Sequence, residues 1–295
     1  MHFLLIGATG YVGSEFAAQI TACGHQLSTL SRRDCDLYSV EALTAAITAA
    51  APDALINCAG YTGKPNVDAC EDDKTNCLAG NALLPGIIAT ACQPLGLPWG
   101  QVSSGCIFTG RRDDGQGFTE DDPPNFSFRQ NNCSFYSGTK ALGEELLAGA
   151  PQCYLWRLRI PFSHIDSSRN YLSKLMRYDT LLEAENSLSS LPEFVAAGLD
   201  CFQHQLPYGI YNLTNPGSIT TREVAQLLND SGVSSKPFRF FDSEDQFMQT
   251  AAKTPRSNCV LDSTKATNAG LTLTPVKQAL TQALEKWQDS NRSPT

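Results

Sequence analysis

The stretch His2-Phe3-Leu4-Leu5-Ile6-Gly7-Ala8-Thr9-Gly10-Tyr11-Val12-Gly13 decides the fold. A largely apolar run leads into three glycines spaced three apart, and Val12, Phe16 and Ile20 follow at helical i, i+4, i+8 spacing. That order predicts a buried strand, a tight turn and an amphipathic helix. Glycine in the turn lets backbone approach a pyrophosphate, whose charge meets the free N–H groups of the helix N-terminus. Gly7, Thr9, Gly10, Tyr11, Val12 and Gly13 are therefore the first candidate cofactor contacts.

Moving outward, the first helix ends near Cys23-Gly24, and Gln26 to Leu30 forms a second strand. Ser31-Arg32-Arg33 lies just past it, where an acid would bind adenosine ribose hydroxyls and an arginine suits a 2′-phosphate. Ser31, Arg32, Asp36 and Leu37 are candidate contacts at this edge. The arginines favour NADPH, while Asp34 and Asp36 keep NADH open. A helix with Val40, Leu43 and Ile47 precedes strand three, Ala54 to Asn57, which ends in the small residues Cys58-Ala59-Gly60. Small residues suit a strand tip crossed by a cofactor. A polar turn, Tyr61 to Asp68, follows at the carboxyl edge of the sheet, where ligands of open α/β sheets sit. Asn66 there is either a sugar contact or a turn residue.

A helix from about Asn76 to Cys92 leads to strand four and Ser103-Ser104-Gly105-Cys106-Ile107-Phe108. Beyond it, Ser134-Phe135-Tyr136-Ser137-Gly138-Thr139-Lys140 enters a helical pattern, and Tyr136 and Lys140 share one helix face. A neighbouring ammonium favours the phenolate, so the pair predicts a proton donor recharged at neutral pH. Tyr154 to Arg159 is strand five, and residues 209–214 are strand six. Thr220 and Glu223 form a capping box, and a last helix spans Pro275 to Asp289. These elements predict an α/β fold, a Rossmann-type doubly wound parallel sheet with a smaller C-terminal substrate-binding lobe. Residues 1–160 form the NADP-binding domain, to which 209–214 return. Residues 161–208 and 215–289 form the lobe, and 290–295 a tail.

Composition narrows the function classes. The 295 residues are 42% hydrophobic and 18% charged, as in ordinary globular chains. A net charge of −8 argues against a nucleic-acid surface, though not against an anionic ligand in a local positive pocket. No apolar run approaches a membrane span. The eleven cysteines are odd in number, follow no signal-peptide pattern and offer no Cys-x-x-Cys metal spacing. They fit small buried hydrophobes in a reducing cytosol, hence a cytoplasmic protein without a metal site.

Gly7-x-x-Gly10-x-x-Gly13, Asn57-Cys58-Ala59-Gly60, Ser104 and Tyr136 with Lys140 together resemble an extended short-chain dehydrogenase/reductase of the nucleotide-sugar branch. Longer strings resemble the nucleotide-rhamnose synthase/epimerase-reductases, which include dTDP-4-dehydrorhamnose reductase-like chains. They are Ala59-Gly60-x-Thr62-Gly63-x-Pro65-Asn66-Val67-Asp68-x-Cys70-Glu71, Gly105-Cys106-Ile107-Phe108, Pro124-Asn125-Phe126, Ser134 to Lys140, and Arg169-Asn170. Tyr211-Asn212-x-Thr214-Asn215-Pro216-Gly217 and Pro255-Arg256-Ser257-Asn258 extend the likeness to about Asp262.

The resemblance implies epimerisation at carbons 3 and 5 of a nucleotide-linked (UDP or dTDP) 4-keto-6-deoxyglucose. Reduction at carbon 4 with NADPH would then give a nucleotide-linked L-rhamnose. It implies Tyr136 as the acid at carbon 4, Lys140 as holder of the nicotinamide ribose, and Ser104 as partner of the keto oxygen. Cys106 and Lys174 would serve epimerisation from opposite faces. Asn76 and Pro161 complete the candidate cofactor set, and Thr62, Asn66, Arg169, Asn170 and Arg256 the substrate set. Arg256 is open between a diphosphate and a structural ion pair, and His164 reads as structural. A separate 4,6-dehydratase would supply the keto sugar, and a homodimer is the family-style state. The alternatives are a monofunctional 4-keto reductase and a non-catalytic NADP-binding regulatory subunit, as in the accessory subunit of methionine adenosyltransferase.

Overall fold

A computed structural model describes residues 1–64 and 66–287. Six parallel strands form the central sheet: β1 His2–Ile6, β2 Gln26–Leu30, β3 Ala54–Asn57, β4 Trp99–Ser104, β5 Cys153–Leu158 and β6 Gly209–Asn212. Their order is β6-β5-β4-β3-β1-β2. From β1 the chain moves to one side and from β3 to the other, so their carboxyl ends open the crevice where ligands of such sheets bind. Ile6 stands opposite Asn57 in that register, which brings the turn after β1 beside the turn after β3.

Parallel sheets are buried on both faces, and this one is covered by helices on each. On one face α1 (Tyr11–Ala22) packs Phe16 and Ile20 among Phe194, Val195 and Phe202 and the sheet residues Phe3, Leu5 and Trp156. On the other, Leu43 and Ile47 of α2 (Val40–Ala50) meet Leu4, Ile6, Leu55, Leu84 and Ile88. Burying each such side chain contributes about 1.5–3 kcal/mol. Trp156 lies across its neighbour strand because position 100 is glycine. A Cβ there would stand 2.1 Å from the indole ring.

The helix α3 (Lys74–Leu95) begins before Asn76 and includes a π-helical turn, Ala79–Leu83. By length and composition it could span a membrane, contrary to the reading that no apolar run approaches one. Its apolarity has another cause: Leu84, Ile88, Ala91 and Cys92 are packed into the core beneath the sheet. Then follow α4 (Phe135–Leu146), α5 (Tyr171–Arg177), α6 (Leu191–Gln203), α7 (Thr221–Asp230) and α8 (Val276–Glu285). Strand β6 is shorter than the expected 209–214. The expected helix end at Asp289 and the tail from 290 lie outside the described residues.

Past β5, a separate cluster gathers Phe162, Leu172, Leu175, Leu188, Val224, Leu228 and Leu280. The capping box on α7 is formed in both directions, with Thr220 accepting from the Glu223 backbone and Glu223 from that of Thr220. All eleven cysteines are free and seven are buried. No group of three or more metal-ligating side chains occurs among the described residues.

Candidate active site

The first turn is built for close backbone approach. Gly7 has φ +85°, and a Cβ on it would stand 2.6 Å from Ala59 N; one on Gly13 would stand 2.1 Å from Gly7 O. Gly10 caps α1 without a side-chain bond, and no acid occupies the helix's first turn. The N-terminal dipole is thus left for an external anion. At the tip of β2, Asp34 accepts from Ser31 N at 2.8 Å and Ser31 Oγ at 2.7 Å, which holds its carboxyl below the usual range. Asp36 accepts from Tyr38 N. Both acids cap turns, whereas Arg32 is exposed and has no ion pair among the described residues. Leu37 is buried beneath. Tyr11 reaches across to Ser163 Oγ at 3.2 Å, beside Pro161, and burial pushes its phenol up to about 12. The glycine cradle, open helix end and unpaired arginine fit a phosphorylated dinucleotide.

The reacting groups converge at the tip of β4. Ser104 Oγ accepts from Cys106 N at 3.2 Å, and its hydroxyl is near enough to the Cys106 thiol and the Tyr136 phenol to favour the charged form of each. Lys140 is buried one helical turn beyond Tyr136, and its Nζ would be 3.4 Å from a Cβ on Gly60. Burial pushes the Tyr136 phenol well above its usual range, the Cys106 charge adds to this, and Ser104 only partly opposes it. The direction is opposite to the sequence reading in which Lys140 depresses the phenol, because desolvation of the phenolate is the largest influence here. The phenol is therefore held protonated. Burial also pushes the Lys140 ammonium down, against the pull of Cys106, Glu144, Cys77 and Cys58.

Local structure fixes these positions. Ser134 caps α4, accepting from Ser137 N, and Glu71 accepts from Phe135 N at 2.7 Å. Lower on α4, Glu144 is paired with Arg157 of β5 at 2.9 Å and accepts from Ser103 Oγ at 2.6 Å. Burial raises the Cys106 thiol, opposed by Ser104, Arg159, Ser137 and Lys140. Lys174 on α5 is half-buried, and its ammonium is pushed down by burial and by the Arg169 charge.

Several candidates are placed differently. Asn170 is fully buried and caps α5; its side chain is used by Leu172 N, Ser163 O and Ile165 O, leaving nothing for a sugar. Arg256 makes two 2.7 Å bonds to Asp68, so the structure has it as an ion pair. Asn66 accepts from Asp68 N at 2.8 Å, as a turn residue does. Asn76 is exposed and donates to Asp73. Thr62 is exposed, and Arg169 donates to the neighbouring Gly63 carbonyl at 3.0 Å.

A sequence model of the RmlD substrate binding domain matches residues 1–289. The chain belongs to the RmlD family. An Arabidopsis thaliana bifunctional dTDP-4-dehydrorhamnose 3,5-epimerase/dTDP-4-dehydrorhamnose reductase is 34% identical over 95% of this chain and 91% of its own length. A trifunctional dehydratase/epimerase/reductase of the same plant is 32% identical, but this chain spans only 41% of it. Among solved structures, the L780 UDP-rhamnose synthase of Acanthamoeba polyphaga mimivirus superposes with a TM-score of 0.89 at 23% identity, over 97% of this chain and 99% of that one. A dTDP-4-dehydrorhamnose reductase from Bacillus anthracis, solved in complex with NADP, gives 0.80 at 18% identity, over 97% and 98% of the two chains. The RmlD-family chain is accordingly an extended short-chain dehydrogenase/reductase, an oxidoreductase.

Two residues of this RmlD-family site escaped the sequence reading. Asn81, in the π-helical turn, is buried and binds the backbone of Tyr61 in both directions, at 2.9 and 2.8 Å, as well as Thr139 Oγ1. A Cβ on Gly60 would sit 3.0 Å from its Oδ1. The signal was an asparagine inside an otherwise apolar helix. The other, Arg159, looked like an ordinary strand end.

Proposed function

We propose that this protein is an NADPH-dependent 3,5-epimerase/4-reductase converting a UDP- or dTDP-linked 4-keto-6-deoxyglucose to the corresponding L-rhamnose. The observation that carries this reading is the Ser104 hydroxyl, within reach of both the Tyr136 phenol and the Cys106 thiol. A plain reductase needs the phenol and has no use for a thiol there. A regulatory subunit needs neither.

The order of steps follows from carbonyl chemistry. The ketone at carbon 4 acidifies the protons on carbons 3 and 5, so inversion precedes its removal. Cys106, as thiolate, takes a proton from one face while the electron pair moves to the carbonyl oxygen, which Ser104 stabilises by a hydrogen bond. Lys174 returns a proton from the other face. Its lowered pKa makes it the readier acid. The turn Gly7–Gly13 and Arg32 would hold the cofactor phosphates, and Lys140 the nicotinamide ribose. NADPH, when bound, supplies the hydride for carbon 4. Tyr136, kept protonated by burial, delivers its proton to the carbon 4 oxygen. A separate dehydratase supplies the keto sugar, and eleven unpaired thiols support a cytoplasmic setting for what we take to be a homodimer.

The test uses purified protein, the keto sugar nucleotide and NADPH in deuterated water, read by cofactor absorbance and product NMR. NADPH loss with deuterium at carbons 3 and 5 is the expected result. Oxidation without exchange leaves a 4-keto reductase and refutes the epimerase.

A further inference from the structure

Strand β5 and the residue after it carry two buried arginines with different surroundings. Arg157, 2% exposed, is neutralised by Glu144. Arg159, 5% exposed, has no carboxylate partner among the described residues. Its Nη2 donates only to neutral acceptors, Asn186 Oδ1 at 2.5 Å and the Ser257 carbonyl, and its Nε has no partner at all among them. A guanidinium does not lose its proton in a protein, so it cannot escape burial by becoming neutral. Burying such a charge unpaired is strongly unfavourable unless something nearby supplies negative charge.

Its charge acts on the Cys106, Cys259 and Tyr171 side chains, and of these Cys106 stands at the tip of β4 with the reacting groups. Arg159 Cδ packs against the backbone of Gly105, 3.4 Å from where a Cβ would stand, directly before the cysteine. The far side of the guanidinium is closed by Asn186 and by the 257–259 segment, whose Cys259 thiol donates to the Gly105 carbonyl at 3.2 Å. The next residue, Ile160, has φ +39°, a left-handed conformation rare for a β-branched side chain. Backbone strain of this kind persists where surrounding contacts over-determine it, often beside a reacting group.

We propose that Arg159 is a positioning residue for the epimerisation: a permanent cation, buried without a carboxylate, that stabilises negative charge on the Cys106 sulfur beforehand, so that the thiolate is present to remove a proton from the sugar. This rests on the epimerase reading above. Of the other groups facing Cys106, Ser104 and Ser137 also favour its thiolate, by hydrogen bonding, but neither carries a charge. Tyr136 and Cys133 oppose a thiolate, since the sulfur's charge raises both. Lys140 is a cation but is pushed down by burial and sits toward Gly60. In the step itself the carbon–hydrogen bond breaks, a sulfur–hydrogen bond forms, and the electron pair moves to the carbonyl oxygen. Arg159 exchanges no proton.

The experiment titrates Cys106 in the full chain without substrate, as ultraviolet thiolate absorbance minus that of the matching Cys106→Ser protein. Arg159→Met should raise the midpoint by about one to three pH units, the range an adjacent opposite charge accounts for, and Arg159→Lys should restore most of it. A midpoint unmoved in Arg159→Met, with any loss confined to melting temperature, would assign Arg159 to packing alone. Should Arg159→Met fail to fold, peptide-resolved alkylation of the wild type against pH decides the matter. Cys106 must then react at lower pH in the wild type than in Arg159→Gln, which keeps hydrogen-bond donors at that position and drops the charge. Equal or later reaction overturns the proposal. Absence of deuterium exchange in the wild type is a separate failure, which overturns the epimerase reading and with it the use of the thiolate.

Discussion

Replacing Glu144 by glutamine should destabilise the protein far more than one surface charge would. The Glu144–Arg157 pair is 2.9 Å long, with the arginine side chain 2% and the glutamate side chain 7% exposed. Ser103 Oγ adds a 2.6 Å hydrogen bond to the same carboxylate. Glutamine keeps the shape but leaves Arg157 as a buried, uncompensated cation. Breaking such pairs one-sidedly costs about 3–5 kcal/mol. With an unfolding entropy of about 2.1 cal/mol/K per residue, each kcal/mol moves the melting temperature of this chain by roughly 1.6 °C, so a fall of about 5–8 °C is expected. Urea unfolding of wild type, Glu144→Gln, Arg157→Met and the double variant gives the coupling directly. The double variant should recover much of the loss, because removing both charges also removes the desolvation penalty. A single-variant loss under about 1 kcal/mol, or a double variant as unstable as the sum of both, would refute this account of how α4 is anchored.

Gly13→Ala should abolish NADPH binding, measured by cofactor fluorescence, since its Cβ would stand 2.1 Å from the Gly7 carbonyl oxygen and must displace the turn. Unchanged affinity would contradict the cradle. Arg32→Ala should weaken NADPH by about tenfold or more, as loss of a charge-assisted phosphate bond implies, while NADH binding changes little; an equal loss for both cofactors would place Arg32 elsewhere. Burial alone would raise the Asp68 carboxyl, but the Arg256 hydrogen bonds and charge outweigh it and hold the pKa below the usual range. The stability from this pair is therefore fully present above the unfolded pKa of about 3.9 and is lost as pH falls through the depressed folded value. Arg256→Met should flatten the acid limb of a stability-versus-pH curve, and an unchanged limb would show that the pair does not drive it.

Much of the sheet was legible because parallel strands buried on both faces are written as short apolar runs ending in small residues. Ala54–Asn57 emerged as expected, and the glycine spacing marked a turn where backbone segments approach closely. What escaped depends on contacts between distant segments. Asn170 followed a motif that pointed to substrate, yet its amide is used up by Ser163 and Ile165 in a cap that periodicity cannot reveal. Arg256 finds Asp68 across 188 residues of chain, and no local pattern announces such a pair. The phenol–ammonium pair illustrates the same limit. Spacing places Tyr136 and Lys140 on one helix face, but the direction of the phenol shift is set by burial. Nor does any local pattern show that Arg159 is buried without a carboxylate partner among the described residues.

The most direct test of a shared site uses two variants in opposite directions. Tyr136→Phe and Cys106→Ser are each given the keto sugar nucleotide and NADPH in deuterated water. Tyr136→Phe should retain deuterium exchange at carbons 3 and 5 while losing NADPH oxidation. Cys106→Ser should lose exchange yet still oxidise NADPH when supplied with the already epimerised 4-keto sugar. Exchange that survives Cys106→Ser, or disappears with Tyr136→Phe, would contradict a division of labour in which the thiol inverts and the phenol completes reduction.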